Sequence, residues 1–531
     1  MLRKSLWRRS ALFALALGIA GSLSVHSAPR AETAQDAASA KALLGEVFEY
    51  LTTLITSTNE DLTLELGAEP SAQPSGSRVE MIFPAPSILD RTGGGFHLGN
   101  VTASVTPQEK DQFRFSVGLP NSMTVSEAGG ITEGEVSWGA GALRGVWRAD
   151  LRTATEIHGS LKSLIFTDIN QNERQVVGKI NSVAMDQEFA ESANGWWSGP
   201  FVYDATNIEV SPADRDENVS LGKLSVSGEL QDFDLYAWQA LSEWGDSISA
   251  AVDGTGPTSF GGSQAVARIF EAMNLGAGNT GLLVSDLSYG PPGRPEFKMG
   301  ELNLSMNYDN GARPGAYSFN VDWQGLEQTD SDIPAAYFTH TGALKMHLEQ
   351  FPLRQIVALT LRETENLSPP IDSVHNDFSA PLQFMILPLI NANQTRLRLE
   401  KLVLRSSIAA LAASGNLSAE NDSALGVVGD ARLELAGLDR LIAAAARQAL
   451  SGEDATEMLA FLTFAKGLGR PEPDAEGELV YVYDVVLPAD GIVLINEIPL
   501  DLLQNSGLTA LPQAPDAKVQ ANSETSEAPR S

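Results

Sequence analysis

The stretch Ala431-Arg432-Leu433-Glu434-Leu435-Ala436-Gly437-Leu438-Asp439-Arg440 hands a strand over to a helix. Ala431, Leu433 and Leu435 alternate with Arg432 and Glu434, so one strand face is apolar and the other charged. From Leu438 the period changes. Leu438, Leu441, Ile442 and Ala445 follow helical spacing, and Asp439 lies in the first turn, where the helix dipole favours an anion. Two earlier stretches have the same form: Leu230-Gln231-Asp232-Phe233-Asp234 and Leu348-Glu349-Gln350-Phe351-Pro352. Proline in the second suits a helix start. The shared string predicts three strand-to-helix corners, each with Phe233, Phe351 or Leu438 buried beneath its helix. The fold class expected is α+β and β-rich, with large twisted antiparallel sheets and packing helices at the corners.

Period-two patterns dominate the rest. Leu62, Leu64 and Leu66 alternate, as do Val101, Ala103 and Val105, and Phe113, Phe115 and Val117. Leu302, Leu304, Met306 and Tyr308 lead through Asn310-Gly311 into Tyr317, Phe319, Val321 and Trp323, a hairpin whose loop Pro314 lengthens beyond two residues. One apolar and one polar face suit antiparallel sheet covered on one side. Leu397 and Leu399 are out of phase with Leu402 and Leu404, which predicts a bulge near Lys401. Ser451 to Asp454 has capping-box form for a second C-terminal helix, which Gly467, Gly469 and Pro471 would stop. Two last strands are expected at 479–487 and 492–499.

The 531 residues exceed one core, and the chain divides by pattern. Residues 1–31 read as a secretory signal peptide, with Arg3, Lys4, Arg8 and Arg9 before the apolar run Ala11 to Val25. Residues 32–58 read as an N-terminal helix, 59–255 as a β-rich domain ending in a helix, and 256–510 as a second β-rich domain with helices. Residues 511–531 offer little to bury and read as a disordered tail. The expected location is the periplasm, with no transmembrane segment in the mature chain.

There are 36 basic and 67 acidic residues, a net charge of −31. Nucleic acid is a poor partner for such a chain, since binding it depends on neutralising phosphates. Absence of cysteine removes disulfides, thiol catalysis and iron–sulfur clusters. No nucleophile elbow, phosphate loop or dinucleotide glycine pattern occurs, and no cofactor, metal or catalytic residues are assigned. Gly93 to Gly95 read as a turn. His97, His158, His340, His347 and His375 have no zincin spacing. Asp168-Ile169-Asn170 opens like a calcium loop, but Glu173 stands where glycine is required and Lys179 where the bidentate glutamate should be. Asp214 to Glu217 and Asp330 to Asp332 are further acidic turns. The densest aromatic cluster, Trp196, Trp197, Phe201 and Tyr203, reads first as a strand-edge core cluster, with a ligand-contact lip for sugar or lipid as the functional alternative.

The Gly-x-Leu strand ends with their corners resemble exported proteins of the AsmA-like kind and the Gram-negative families called domains of unknown function 945 and 2125. The residues that carry this are Gly228-Glu229-Leu230 with Phe233-Asp234, Gly342-Ala343-Leu344 with Leu348 and Phe351-Pro352, and Gly437-Leu438-Asp439, together with the closing segment Leu487 to Asn496. The resemblance implies elongated, curved sheets in an exported protein, and for the AsmA-like relatives a role in envelope lipid homeostasis. It carries no catalytic residues. The expected function is non-enzymatic envelope maintenance, through an apolar, lipid-like ligand or a partner protein. The alternatives are an exported glycan hydrolase using an acidic pair and a calcium-dependent structural or adhesive protein.

Overall fold

The computed structural model describes residues 62–500, apart from 109–111, 149, 152, 171–172, 213–216, 239–272, 312–313, 330–338, 367–378, 451–454 and 475–476, together with Gly45 and Thr52. The expected signal peptide, N-terminal helix, C-terminal tail, the acidic turns at 214 and 330 and the capping box at 451 lie outside the described residues.

The N-terminal strands are short: β1 (Leu62–Glu65), β2 (Ser71–Ser75), β3 (Arg78–Phe83), β4 (Ser87–Asp90), β5 (Gly95–Leu98), β6 (Val101–Pro107), β7 (Gln112–Gly118), β8 (Ser122–Ser126), β9 (Thr132–Ser137) and β10 (Ala140–Arg148). Longer ones follow: β11 (Thr153–Asn170), β12 (Glu173–Glu188), the short β13 (Ala190–Glu191), β14 (Trp197–Val210), β15 (Asn218–Phe233), β16 (Ala277–Gly290), β17 (Phe297–Asp309) and β18 (Gly315–Gln324). After β19 (Glu327–Gln328) and β20 (Thr341–Phe351) come helices α1 (Leu353–Asn366) and α2 (Ser379–Ala392). Next are β21 (Arg396–Arg405), β22 (Ala410–Ala419) and β23 (Val427–Ala436), then α3 (Leu438–Leu450) and α4 (Thr456–Leu468). The described chain closes with β24 (Arg470–Pro473), β25 (Leu479–Leu487), β26 (Leu494–Ile495) and β27 (Ile498–Pro499).

All these strands join one antiparallel, open sheet, β-rich as expected but single. From β11 it is a meander in which β12, β14, β15, β16, β17, β18, β20, β21, β22, β23 and β25 pair in turn. The β15–β16 ladder runs from Asn218–Gly290 to Gln231–Ala277, so the sheet continues through the expected division at 255/256. On the other edge of β11 the sheet forks. β10 leads to β7, β6, β3 and β2, while β9 leads to β8, β5, β4 and β1. At the far edge, β25 is flanked by β24 and β26. Pro471 and Pro473 in β24 cannot donate to a further strand, which blunts that edge.

The three corners share one backbone device. Asp232, Gln350 and Gly437, each just before the corner Phe or Leu, have φ of 52°, 55° and 77°. This left-handed residue turns the strand aside and explains the repeated string. The corners differ in placement. β15 and β20 are separated by an even number of antiparallel steps, β20 and β23 by an odd number. The first two corners therefore lie at one end of the sheet and the third at the opposite end. They also differ in burial: Leu438 is 1% exposed, whereas Phe233 and Phe351 are only half-buried. The expectation of three equally buried corner residues holds for Leu438 alone, where α3 and α4 pack over the corner. Leu438, Ala445 and Leu462 from α3 and α4 form a cluster with Tyr481 of β25.

The predicted bulge is present, with Glu400 as the extra residue: Lys401 pairs with Lys345 and Leu399 with Met346. The predicted final strand at 492–499 is instead the short pair β26 and β27, reversed by Asn496 and Glu497 at φ of 49° and 69°. Asp168 and Asn170, the start of the calcium-like string, are strand residues paired with Gln175 and Glu173.

A crease crosses the meander. By register, Ser163 falls opposite Asn181, then Asn207, Gly222, Asp286, Gly300 and Gly325 follow strand by strand. Gly139, between β9 and β10, adjoins it, its amide donating to Lys162 (2.8 Å). Ser163, Asn207, Asp286 and Gly325, on alternate strands, have φ of 54°, 47°, 53° and 67°. Apolar residues flank the row three apart: Leu161 and Leu164, Val183 and Ile180, Leu224 and Leu221, Val284 and Leu287, Leu302 and Met299. In a regular strand an odd spacing sends them to opposite faces. Here Leu161, Leu164, Ile180 and Val183 all pack in one cluster with Trp138. The crease reverses the alternation, and the apolar face carries on across it.

Candidate functional site

Register assembles the separate alternating patterns into a single apolar band. Met81, Ala103, Val117, Leu143, Gly159, Met185 and Tyr203 are successive cross-strand partners. The row goes on through Val226, Leu282, Leu304, Val321, Leu344, Leu402, Ala413, Leu433 and Tyr483. The opposite face differs: Glu229, Asn279, Asn307, Ser318, His347, Arg398, Asn416 and Asp430 form a parallel row there. Polar bonds link its strands, as from Asn307 to Ser318 (3.1 Å) and from Asn320 to Ser305 (3.1 Å). On that face the bulge residue Glu400 meets Lys345 Nζ (2.7 Å) and His347 Nε2 (2.5 Å). Those hydrogen bonds, Lys345 first, hold its carboxyl below the usual range.

The band is covered at its two ends. Val79, Met81, Phe83, Val105 and Phe113 form a buried cluster at the N-terminal end, and the α3–α4 cluster covers the C-terminal end. Between them the apolar side chains keep solvent contact. Val226, Phe319, Leu397 and Leu417 are 36%, 36%, 39% and 37% exposed. Completing the burial of each such side chain is worth on the order of 0.5–1 kcal/mol, a third of a full transfer. Four such side chains on one face, spread from β15 to β22, make a site for an apolar surface.

The four aromatic residues singled out from sequence divide between two roles. Phe201 and Tyr203 lie on the band, with ring centroids 5.8 Å apart. Tyr203 donates to Gln187 (2.6 Å), which donates to the Ala154 carbonyl (2.9 Å), and burial raises the Tyr203 phenol. Trp197 is 3% exposed, and the Arg148 guanidinium lies 5.0 Å from its ring centre. It is a core residue. Trp196 is half-buried in the turn before β14, where its carbonyl accepts from Ser192 (2.7 Å).

Arg148 itself is buried and fully engaged. It is bidentate to Asp150 (2.7 and 2.6 Å) and also donates to Glu191 (2.9 Å) and Tyr236 (2.9 Å), and Tyr236 donates to Asp150 (2.7 Å). Burial would raise the Asp150 carboxyl, but hydrogen bonds from Arg148 and Tyr236 hold it below the usual range. Burial and the Asp150 carboxylate push the Tyr236 phenol up to about 12. These two carboxylates converge on one guanidinium, which is the arrangement of a clamp between β10, β13 and Tyr236, just after β15. Among the histidines, His97 bridges Ser87 (2.9 Å) and Ser126 (2.7 Å), tying three strands together. Among the described residues no group of three His, Asp or Glu is placed to hold a metal ion, and no helix is long and apolar enough to cross a membrane.

Sequence reasoning found the alternation in β17 and β18 but not the band. Leu344, Met346 and Leu348 in β20 were the missed signal, being in phase with both neighbours. No protein-family model, curated protein or solved structure matches the chain.

Proposed function

We propose that the protein holds an apolar, lipid-like ligand on the open middle of this band, as a non-enzymatic periplasmic protein of envelope maintenance. What supports the reading is the exposure of Val226, Phe319, Leu397 and Leu417 in the midst of an otherwise continuous apolar face. The resemblance of the corners and closing segment to AsmA-like proteins points the same way. An apolar band with a polar reverse face suits a ligand laid flat on one side of the sheet. The acidic balance of the chain, −31, makes anionic headgroups a poor handle, so recognition would rest on the acyl part. Protein purified from the periplasm should release lipid on solvent extraction, detected by mass spectrometry in an amount comparable to the protein. Lipid-free protein that instead carries a bound polypeptide across the band would replace the ligand with a partner protein.

A further inference from the structure

We propose that the crease is a hinge line about which the two panels of the sheet flex. Three independent features coincide on it. The row Gly139, Ser163, Asn181, Asn207, Gly222, Asp286, Gly300, Gly325 has no side chain larger than Asn or Asp, so nothing bulky braces one panel against the other. Its residues on alternate strands are left-handed, a conformation that breaks the pleat. The pairing itself lapses here at every interface from β11–β12 to β16–β17: Ser163–Asn181, Asn207–Gly222 and Asp286–Gly300 are gaps in ladders that resume on both sides. A single such gap is a local lapse in one ladder, with the register unchanged on both sides. A file of such lapses interrupts the ladders along one line, and that line becomes the direction of least stiffness.

The line is pinned at one end only. Trp138, Leu164 and Ile180 form a buried cluster beside the fork, and Leu161 and Val183 pack against it from across the line. Toward β16 and β17 the flanking Val284, Leu287, Met299 and Leu302 are half-buried, and no buried cluster spans the line there among the described residues. Motion should therefore widen from β11 toward β17, opening and closing the apolar side of the crease like a fan. The proposal does not depend on what occupies the band.

The chain has no cysteine, so introduced pairs are unique spin-label sites. Lys298→Cys with Asn307→Cys straddles Gly300 on β17, about 30 Å apart along an extended strand. Asn307→Cys with Asn416→Cys lies within one panel, about 20 Å across the strands. The expected result is a straddling distance distribution about twice as wide as the control. Hydrogen exchange on the unmodified full chain should be roughly tenfold faster at Asn207, Asp286 and Gly300 than at Ala205, Val284 and Leu302. A straddling distribution as narrow as the control overturns the hinge. Where a labelled variant does not fold, exchange decides: equal rates at the row and beside it overturn it.

Discussion

Gln350 repeats Asp232: each precedes a corner phenylalanine, and their φ angles, 55° and 52°, differ by little. Left-handed backbone costs an ordinary residue about 1–2 kcal/mol, less for Asp, and glycine almost nothing. Asp232 accepts through its carbonyl from Asn274 (2.7 Å), a bond any residue keeps. Asp232→Gly should therefore stabilise by roughly 0.5 kcal/mol, and Asp232→Val destabilise by about 1–2 kcal/mol. At the third corner Gly437 already fills the position, and a Cβ there would lie 2.2 Å from the Ile408 carbonyl oxygen. Gly437→Ala should cost more than either. Denaturant unfolding of the three variants checks the order, and a stabilising Asp232→Val would remove the left-handed requirement.

The corners should separate by burial. Leu438, at 1% exposure under two helices, should lose about 2–5 kcal/mol on truncation to Ala. Phe351 is half-buried and keeps an edge-to-face contact with Tyr317, centroids 6.0 Å apart. Its truncation should cost about 2 kcal/mol, below the range for a fully buried phenylalanine. Equal losses at the two sites would mean that the first helix pair covers its corner as fully as the second.

The corners were legible because three features coincide in ten residues: alternation, a small or polar residue at the left-handed position, and a change of period. The band was half legible, since each strand shows its own alternation but register belongs to the pairing. The crease was not read, although its signal stands in the sequence. Leu161–Leu164, Leu221–Leu224 and Met299–Leu302 break period two at one level of successive strands, and each break looks like noise until the strands are aligned. Composition alone left Trp197 between core and lip, because a buried aromatic over a guanidinium and an exposed ligand lip look alike in sequence.

The Arg148 clamp gives the chain two pH limits. Asp150 has a depressed pKa in the fold, so its contribution is fully present above the ordinary carboxylate range and is lost as pH falls through the lower folded value. Tyr236 has a raised pKa, so its contribution is present below the ordinary phenol value near 10 and is lost as pH rises toward about 12. Tyr236→Phe should shrink the alkaline limb, to which the raised phenols of Tyr203 and Tyr317 also contribute, and cost about 1 kcal/mol at neutral pH. Arg148→Met strands two carboxylates that are 29% and 32% exposed, and should cost about 3 kcal/mol, the low end for a broken buried pair. Thermal melts of the wild type and both variants across pH test this. An alkaline limb unchanged in Tyr236→Phe would assign it to other groups.

The open band and the closed clusters should respond oppositely to the same change. Phe319 and Leu397 face the band at 36% and 39% exposure, so an aspartate at either place meets water in the unliganded protein. Stability should fall by about 1–2 kcal/mol, the share of a full transfer that these side chains already bury. A charge amid the band nevertheless forces any apolar occupant to cover it, at a cost of several kcal/mol, so binding should collapse. Asn320→Asp, next to Phe319 on the reverse face of β18, controls for added charge alone. The probe is a fluorescent fatty acid titrated into delipidated protein. Phe319→Asp and Leu397→Asp should weaken it at least tenfold, while Asn320→Asp binds like the wild type. If the two band variants bind as the wild type does, the ligand lies elsewhere. If they unfold, other parts of the chain already bury these side chains, and the band is core.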